Sequence, residues 1–278
     1  MKEQLTLKEN QSVNHEIMKD IHAFCVLNGI HYSLAYGSLL GAIRHKGFIP
    51  WDDDIDIMMP RPDFELFSKT YKSSKGFELC SVYSDETFVN YTRVYDSQTV
   101  VISPAKQARR PVGIWVDVFP IDAIPDSLSD QKRQFDRLRH YTYLIMRYRV
   151  ALRNLEVESL NKRLRGCLQM TKLFLENGSV SFSKWHNQVI TISKENTFGK
   201  TRCCSSLVCV EANTYNKQEV FLTSDFDSYI LMPFESESFF IVDSYNSVLT
   251  TIFGDYMQLP PEEKRVSHIL KRWSFFRR

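Results

Sequence analysis

A block of four aspartates that runs directly into an apolar segment is the feature of this sequence that most constrains its fold. Asp52, Asp53, Asp54 and Asp56 fall within five positions, and the segment continues as Ile-Met-Met. In a β-strand, Asp54 and Asp56 share one face and the intervening isoleucine points to the other. Carboxylates this close repel one another, and their pKa values rise unless a cation neutralises them. The pattern therefore predicts a site for Mg²⁺ or Mn²⁺ at Asp54 and Asp56, whereas a solvated turn accounts equally well for Asp52 and Asp53.

A second group of polar residues precedes the aspartates. Gly37 and Ser38 follow a β-like run and open a short helical segment, where free backbone N–H groups can bind a phosphate. Arg44, His45 and Lys46 add cationic side chains between this turn and the acidic block. Each feature alone is also typical of an ordinary turn or a surface charge. Together they predict a site for a nucleoside diphosphate.

A further carboxylate lies in a later apolar segment. Within 113–119, alternation places Asp117 on the same strand face as Trp115 and Phe119. An acid on an apolar face is unfavourable unless it is paired or binds a metal. Asp117 is therefore the predicted third carboxylate of the site, with Asp122 as second choice; a helix cap or a lone salt bridge is the alternative for Asp117.

Apolar periodicity and the positions of Gly and Pro divide the chain into three parts. The mixture predicts an α+β fold with a core over 1–125, a basic helical insertion over 126–204 and a C-terminal α/β part over 205–278 that completes the domain. The predicted helices are 12–28, 39–46, the segment opened by Pro62, the stretch 127–176 and a final charged helix that starts at Pro260. The predicted strands are 30–36, 55–59, 77–83, 91–95, 99–102 and 113–119.

The small net charge of +2 conceals an uneven distribution. Residues 131–172 contain eleven Lys/Arg and three Asp/Glu, a local balance of +8, which leaves −6 for the rest of the chain. A basic surface of this kind suits phosphate polymers or lipid headgroups. The segment 141–150 and the Trp-Phe-Phe tail at 273–276 mix apolar and cationic residues, as interfacial helices do. Peripheral contact with the inner face of a membrane is one interpretation, and a solvated basic surface is the other.

Composition also excludes several classes of protein. No window approaches the roughly 18 consecutive apolar residues of a membrane span. The first twenty residues lack the apolar core of a signal peptide, and the six cysteines lack paired metal-binding spacing, so we expect a cytoplasmic protein with free thiols. The acidic site and the absence of a groove-reading motif argue against nucleic acid as a partner.

Three blocks of the sequence resemble one enzyme family. Two aspartates on one strand, a third on another and a preceding Gly-Ser turn resemble the nucleotidyltransferase superfamily of DNA polymerase β. The segment 36–57 is similar to the signature of the LicD family of phosphocholine transferases, which fukutin-related proteins share. The segments 115–122 and 253–265 resemble the family's second and C-terminal blocks. Relatives often have a His pair after the last block, and Ile269 stands in place of the second member, next to His268.

The resemblance implies a nucleotidyltransferase-like fold and transfer of phosphocholine from CDP-choline to a sugar hydroxyl of a cell-surface glycan, with release of CMP. The acceptor would be a lipopolysaccharide or a teichoic acid precursor, free or lipid-linked. Asp54, Asp56 and Asp117 would be catalytic residues and metal ligands, and Asp117 would also orient or deprotonate the acceptor hydroxyl. Choline, a quaternary ammonium, binds aromatic faces, for which Tyr36, Trp51 and Trp115 are candidates. The candidate substrate-binding residues are Gly37, Ser38, Arg44, His45, Lys46, Trp51, Asp53 and Asp122.

Three other functions stay open at this point. The same metal site would serve transfer of phosphoethanolamine, glycerol phosphate or ribitol phosphate. It would also serve nucleotidyl transfer from a nucleoside triphosphate, with release of pyrophosphate. A non-catalytic module that binds glycans or nucleotides is the third, although such a module gains little from clustered acids.

Overall fold

The computed structural model describes residues 4–83, 89–102, 113–157, 159–209, 219–267 and 274–277. Within these ranges the chain forms seven α-helices, α1 (Leu7–Asn28), α2 (Tyr36–His45), α3 (Arg61–Thr70), α4 (Leu128–Glu156), α5 (Leu160–Asn177), α6 (Phe182–Ser193) and α7 (Tyr245–Phe253). The described strands are β1 (Ser33–Leu34), β2 (Ile55–Pro60), β3 (Glu78–Cys80), β4 (Thr92–Tyr95), β5 (Thr99–Ile102), β6 (Trp115–Ile124), β7 (Cys203–Ser205), β8 (Phe221–Leu222), β9 (Tyr229–Phe234), β10 (Glu237–Val242) and β11 (Ser274–Arg277).

A mixed sheet in the order β1-β2-β6-β4-β3 forms the centre of the molecule. β2 and β6 are parallel, whereas β1 pairs with β2 and β4 pairs with β6 in antiparallel fashion. The far end of β6 also pairs with β7, which continues the sheet to β8. β6 is buried along all ten residues. Mixed strands with helices packed against them confirm the predicted α+β class.

Helix α1 starts earlier than its apolar periodicity predicts. Thr6 accepts a hydrogen bond from the backbone N–H of Glu9, and the Glu9 side chain accepts one from the backbone N–H of Thr6. This reciprocal capping box is visible in the sequence as Thr-x-x-Glu and fixes the helix start at Leu7. At the other end Gly29 adopts a left-handed conformation with φ of 64°, which confirms the predicted stop.

Two hydrophobic clusters fill the interior. The larger one contains the central sheet, α1, α2, α3 and the β9–β10 hairpin. The second consists mainly of residues from α4, α5 and α6, together with Ile124 at the end of β6. α4 packs against both α5 and α6, so these helices bury their apolar residues among themselves. β6 contributes to both clusters and connects them.

The predicted final helix is wrong. Among the described residues 262–267, the chain makes only a short 3-10 turn, Glu262–Lys264. Ser274–Arg277 is a strand, β11, that pairs antiparallel with β5. Phe275 is buried there and its ring contacts Trp115 at a centroid distance of 5.7 Å. Partners distant in the sequence decide the conformation of this segment, because β5 provides its backbone pairing and Trp115 packs against the Phe275 ring.

The structure also bears on the cysteines and on membrane-spanning helices. Among the described residues, Cys25, Cys80, Cys167, Cys203 and Cys204 are free thiols. No helix in the described ranges combines the length and apolarity needed to cross a membrane. His268 and residues 271–273 of the basic tail lie outside the described residues.

Candidate active site

Three adjacent strands place carboxylates and one guanidinium on the same face of the sheet. Asp56 of β2 and Asp117 of β6 are direct register partners across the parallel pair. Asp117 is in turn the register partner of Arg93 on β4. Register partners project to the same side of a sheet, with backbones about 4.8 Å apart. Asp54 lies two residues before Asp56, so the structure brings the three predicted acids to one face.

The two aspartates at the start of β2 strongly oppose each other's ionisation. Burial raises the pKa of Asp54 well above its ordinary value, and the negative charges of Asp56, the rest of the acidic block and Asp117 raise it further. Burial and Asp117 likewise raise the pKa of Asp56, against a smaller opposing effect of Arg93. In the described part of the chain, no donor is hydrogen-bonded to either carboxylate. Oxygen ligands without protein donors fit a hard divalent cation.

Asp117 differs from these two because it has a cationic partner. Arg93 Nε donates to Asp117 Oδ1 at 2.6 Å, and Arg93 Nη2 donates to the Tyr91 hydroxyl at 3.0 Å. The guanidinium also lies over the Trp115 ring, 4.6 Å from its centroid. Burial lowers the pKa of Arg93, but Asp117 and Tyr91 outweigh it and raise the pKa above its usual range. The salt bridge considered for Asp117 is therefore present, and it lies beside Asp56.

Sequence reasoning missed Arg93 and Tyr91. The strand Tyr-Thr-Arg-Val-Tyr at 91–95 is predicted, but its single arginine is not among the predicted site residues. Alternation places Arg93 on the same strand face as Tyr91 and Tyr95. A charged residue among aromatic ones on a strand face is a signal that could have identified it, since such a residue requires a partner.

An aromatic wall, defined here as Tyr36, Tyr91, Trp115 and Phe119, lies on the same face as the acids. Tyr91 and Phe119 have ring centroids 4.5 Å apart, and Tyr36 meets Phe119 edge to face at 5.5 Å. Trp115 and Phe119 flank Asp117 along β6. Tyr36 and Trp115 are among the choline contacts predicted from the sequence, whereas Tyr91 and Phe119 are not.

The first turn of α2 lies against the acidic block. A methyl group at Gly37 would lie 2.5 Å from Asp52 Oδ2, so only glycine leaves room for this carboxylate at the helix N-terminus. Ser38 Oγ accepts a hydrogen bond from the backbone N–H of Asp56 at 3.0 Å. The Gly-Ser turn therefore adjoins the acids as expected, but the Ser38 hydroxyl is used to hold the start of β2.

Asp53 is buried, which overturns the solvated-turn alternative for this residue. Its backbone oxygen accepts hydrogen bonds from Asn10 Nδ2 at 2.6 Å and Asn14 Nδ2 at 3.0 Å. Its carboxylate accepts one from Ser267 Oγ. These contacts fix the acidic block between α1 and the C-terminal segment.

A second combination of carboxylates in this block could also hold a cation. Oxygens of Asp52, Asp53 and Asp54 lie within 4.8 Å of one another. Asp53 is already bonded to Ser267, and Asp52 rests against Gly37. Because Asp54 belongs to both combinations and Asp56 has no hydrogen-bond donor among the described residues, Asp54 and Asp56 are the better candidate ligands.

The cluster of Arg44, His45 and Lys46 lies at the opposite end of α2 from the Gly-Ser turn. Arg44 Nη1 donates to the backbone oxygen of Tyr256 at 3.0 Å, and Arg44 Nε hydrogen-bonds to His45 Nε2. Lys46 Nζ contacts Met232 Sδ at 3.8 Å. Burial and the neighbouring Arg44 lower the pKa of His45. Arg44 and Lys46 therefore contact the C-terminal part of the chain, and among the described residues none of the three side chains is hydrogen-bonded to the acids.

Asp122 lies apart from the acids as well. It is five residues beyond Asp117 on β6, and an odd separation places it on the other face of the strand. Both of its carboxylate oxygens accept hydrogen bonds from Arg61 of α3, at 2.6 and 2.8 Å, and the pair is buried. Asp122 thus joins α3 to the sheet.

Trp51 is separate from the aromatic wall. Its ring lies 5.7 Å from the guanidinium of Arg265, in the C-terminal block. Ser267, two residues later, bonds Asp53. The C-terminal block therefore reaches the acidic block, as expected if both belong to one site.

Comparisons with known proteins agree with the predicted family. The family model described as the nucleotidyltransferase domain of LicD, FKTN and FKRP matches residues 29–149, a range that includes all three acids and Arg93. The lipopolysaccharide cholinephosphotransferase LicD of Haemophilus influenzae is 28% identical over 269 residues, which cover 95% of this chain and 96% of that protein. An uncharacterized protein of Rickettsia prowazekii is 33% identical over 85 residues, 27% of this chain and 32% of that protein.

Proposed function

We propose that the protein transfers phosphocholine from CDP-choline to a sugar hydroxyl of a cell-surface glycan, with release of CMP, since residues 29–149 match the nucleotidyltransferase domain of the LicD family. The observation on which the proposal rests is the single sheet face that presents Asp54, Asp56 and Asp117 beside an aromatic wall. The similarity to a lipopolysaccharide cholinephosphotransferase over nearly the whole chain supports a transferase and favours lipopolysaccharide over a teichoic acid precursor as the acceptor.

Asp54 and Asp56 would hold a divalent cation, Mg²⁺ or Mn²⁺. Bound there, the ion would neutralise the donor diphosphate and stabilise the departing CMP oxygen. The chain positions these ligands before the substrate arrives. Ser38 holds the Asp56 backbone, and the two asparagines of α1 hold the acidic block at Asp53. Ligands fixed in this way need no rearrangement when the charge develops.

Asp117 and Arg93 would act on the reacting groups. In the proposed step, the acceptor hydroxyl oxygen attacks the choline-bearing phosphorus, the bond from that phosphorus to the CMP oxygen breaks, and the hydroxyl proton passes to Asp117. Asp117 Oδ1 is engaged by Arg93 Nε at 2.6 Å, while the contact from Arg93 Nη2 to Oδ2 is long at 3.5 Å. Oδ2 is therefore the oxygen available to the acceptor hydroxyl. Arg93 could also donate to a phosphoryl oxygen.

The aromatic wall favours choline over other phospho-alcohols. A quaternary ammonium is held by ring faces without hydrogen bonds, and the wall already holds the cationic guanidinium of Arg93 over Trp115 and Tyr91. Glycerol phosphate and ribitol phosphate carry hydroxyl groups, which would require polar partners at the same place. The ammonium of phosphoethanolamine carries N–H groups that also need acceptors, so we rank phosphocholine first.

A donor panel tests the proposal. Purified protein, Mg²⁺ and an extract containing lipid-linked glycans would be incubated with CDP-choline, CDP-ethanolamine, CDP-glycerol, CDP-ribitol or CTP, and CMP and pyrophosphate would be measured separately. We expect CMP from CDP-choline, abolished by EDTA. Pyrophosphate from CTP would instead establish nucleotidyl transfer, and release of neither product in the presence of extract would favour a binding module.

The variant Tyr91→Leu tests whether the aromatic wall binds the choline group of the donor. If the wall binds choline, this substitution raises KM for CDP-choline at least about fivefold, because a cation–π contact is worth about 1 kcal/mol. Activity with a CDP-alcohol that has no cationic group should change less. An equal loss of activity with both donors would show that the aromatic wall does not recognise choline.

A further inference from the structure

Helix α5 presents an apolar stripe to solvent. Leu160, Leu164, Leu168 and Leu175 are 68%, 55%, 72% and 76% exposed. At about 100° per residue these four side chains fall within an arc of about 80° on one side of the helix. Cys167, Thr171 and Phe174 extend the arc to about 120°, and all three are exposed. We call these seven residues the α5 stripe.

The orientation of the stripe is fixed by the opposite face of the helix. Gly166 lies so close to α4 that a methyl group there would be 2.9 Å from the Ala151 backbone oxygen. Leu173 is buried in the second hydrophobic cluster, and Gln169 Oε1 accepts a hydrogen bond from Asn154 Nδ2 at 2.8 Å. Rotation of α5 to bury the stripe would break these contacts, so its exposure follows from the packing of the helix.

Basic side chains border the stripe. Arg163 lies on one edge and Arg165 and Lys172 on the other, at the angles expected from helical geometry. All three are exposed, and in the described part of the chain the two arginines have no carboxylate partner. The helix carries four Lys/Arg and one Glu, and all four Lys/Arg belong to the 131–172 region of local balance +8. Such a surface is complementary to anionic groups around an apolar layer.

The surfaces predicted for membrane contact from the sequence are buried in part. In the segment 141–150, Leu144 and Ile145 are buried in the second hydrophobic cluster. Phe275 of the C-terminal tail is buried against Trp115. Tyr143 and Met146 of the segment 141–150 are exposed, but the α5 stripe is the larger exposed apolar surface of the two.

We propose that α5 docks on the surface of an anionic phospholipid membrane, with the stripe buried among the acyl chains and the arginines at the headgroups. The helix is about 27 Å long and would lie parallel to the membrane plane. Leucines supply the apolar contact, and the flanking cations supply the attraction to anionic lipids. This inference does not depend on the proposed reaction, because it concerns a surface outside the active site.

Vesicle binding tests it with the full-length protein. Sedimentation with phosphatidylcholine vesicles that contain phosphatidylglycerol should retain the wild type, and vesicles of phosphatidylcholine alone should retain much less. Leu164→Glu/Leu168→Glu should lower the partition coefficient at least about tenfold. Arg163→Gln/Arg165→Gln should lower it about thirtyfold at low salt. The matched control is Leu27→Glu/Leu231→Glu, which alters leucines that are 84% and 55% exposed on α1 and β9 and should leave binding unchanged.

Cys167 provides a second, site-specific readout. It lies within the stripe and is exposed, whereas Cys25 and Cys204 are buried. A polarity-sensitive fluorophore on Cys167 should shift to shorter wavelength on anionic vesicles, with Cys167→Ser as the labelling control. Equal binding of wild type and Leu164→Glu/Leu168→Glu, or no spectral shift, would overturn the proposal. A wild-type dimer that the leucine variant converts to a monomer, without vesicle binding, would assign the stripe to a second copy of the chain.

Discussion

Asp54 and Asp56 are partly buried carboxylates whose close charged neighbours are mostly other carboxylates. If they hold a catalytic cation, Asp56→Asn removes a ligand without changing the shape of the side chain. We expect turnover to fall at least about a hundredfold, the scale of loss when a fixed electrostatic contact is removed. The fold should persist, because an uncharged amide relieves repulsion.

Steady-state rates and circular dichroism of the purified variant would check this. Asp227→Asn is the matched control, since Asp227 is exposed and lies outside the acidic block. Near-normal turnover of Asp56→Asn at saturating Mg²⁺ would refute the metal assignment.

Asp54 and Asp56 should make the free energy of unfolding of the metal-free protein depend on pH. Their folded-state pKa values lie above the ordinary value of about 4, so the folded protein retains protons that the unfolded chain releases. The free energy of unfolding in EDTA should therefore fall as pH rises from about 4 towards the raised pKa values, and Mg²⁺ should reverse part of this loss.

Urea unfolding of wild type and Asp54→Asn/Asp56→Asn across this pH range isolates the effect. The difference in stability between the two proteins should change with pH in EDTA and change less in Mg²⁺. A difference independent of pH in EDTA would show that these carboxyls are not perturbed.

Arg93 and Asp117 form a pair in which each partner compensates the buried charge of the other. Arg93→Met leaves Asp117 without its counter-charge next to Asp56 and should lower the free energy of unfolding by about 3 kcal/mol. Arg93→Met/Asp117→Asn should regain at least half of that loss, because the unpaired charge is gone. Denaturant titrations of the four proteins measure this cycle, and additive losses would mean that the two side chains act independently.

At the scale of elements, the C-terminal strand β11 depends on Phe275. This side chain is 1% exposed, while its neighbour Phe276 is only half-buried on the other face of the strand. Phe275→Ala should lower the free energy of unfolding by about 3 kcal/mol through loss of buried area and the remaining cavity. Phe276→Ala, measured in the same urea titration, should have less than half that effect. Equal effects would contradict the register of β11 with β5.

Elements with strong local signals could be predicted from the sequence. The Pro and Gly boundaries of α1 and α3 and the alternation in β2 and β6 are local properties, and the structure confirms these elements. β11 could not be predicted, because its conformation comes from pairing with β5, whose residues lie 172 to 178 positions earlier in the chain. β1 is shorter than its predicted run of 30–36, since only two residues pair with β2.

The candidate site also combines features that follow from local sequence with features that depend on strand pairing. The strand face shared by Asp54 and Asp56 follows from alternation alone, but the parallel register that sets Asp56 beside Asp117 is a property of the sheet. Arg93 reaches the candidate site through a second strand pairing, that of β4 with β6. Arg44 and Asp122 show that nearness in the sequence, or a shared strand, does not by itself place a side chain beside the acids. They are near the acids in the sequence or on a shared strand, yet one contacts the Tyr256 backbone and the other Arg61.

At the scale of the whole molecule, β6 links the two hydrophobic clusters. Its residues from Trp115 to Ile121 belong to the larger cluster, and Ile124 belongs to the helical one. We expect the clusters to unfold together, with one urea transition common to circular dichroism and to the fluorescence of Trp185, which reports on the helical cluster once the other tryptophans are replaced by Phe. Two separate transitions would show that the helical layer is an independent folding unit.

The most direct test of the central claim is the mass of the acceptor after reaction. Lipid-linked glycans would be incubated with CDP-choline, Mg²⁺ and either wild type or Asp56→Asn, and then analysed by mass spectrometry. We expect wild type to add one phosphocholine group, and we expect neither Asp56→Asn nor wild type in EDTA to do so. Addition of a nucleoside monophosphate, or addition of phosphocholine by Asp56→Asn at the wild-type rate, would contradict the central claim.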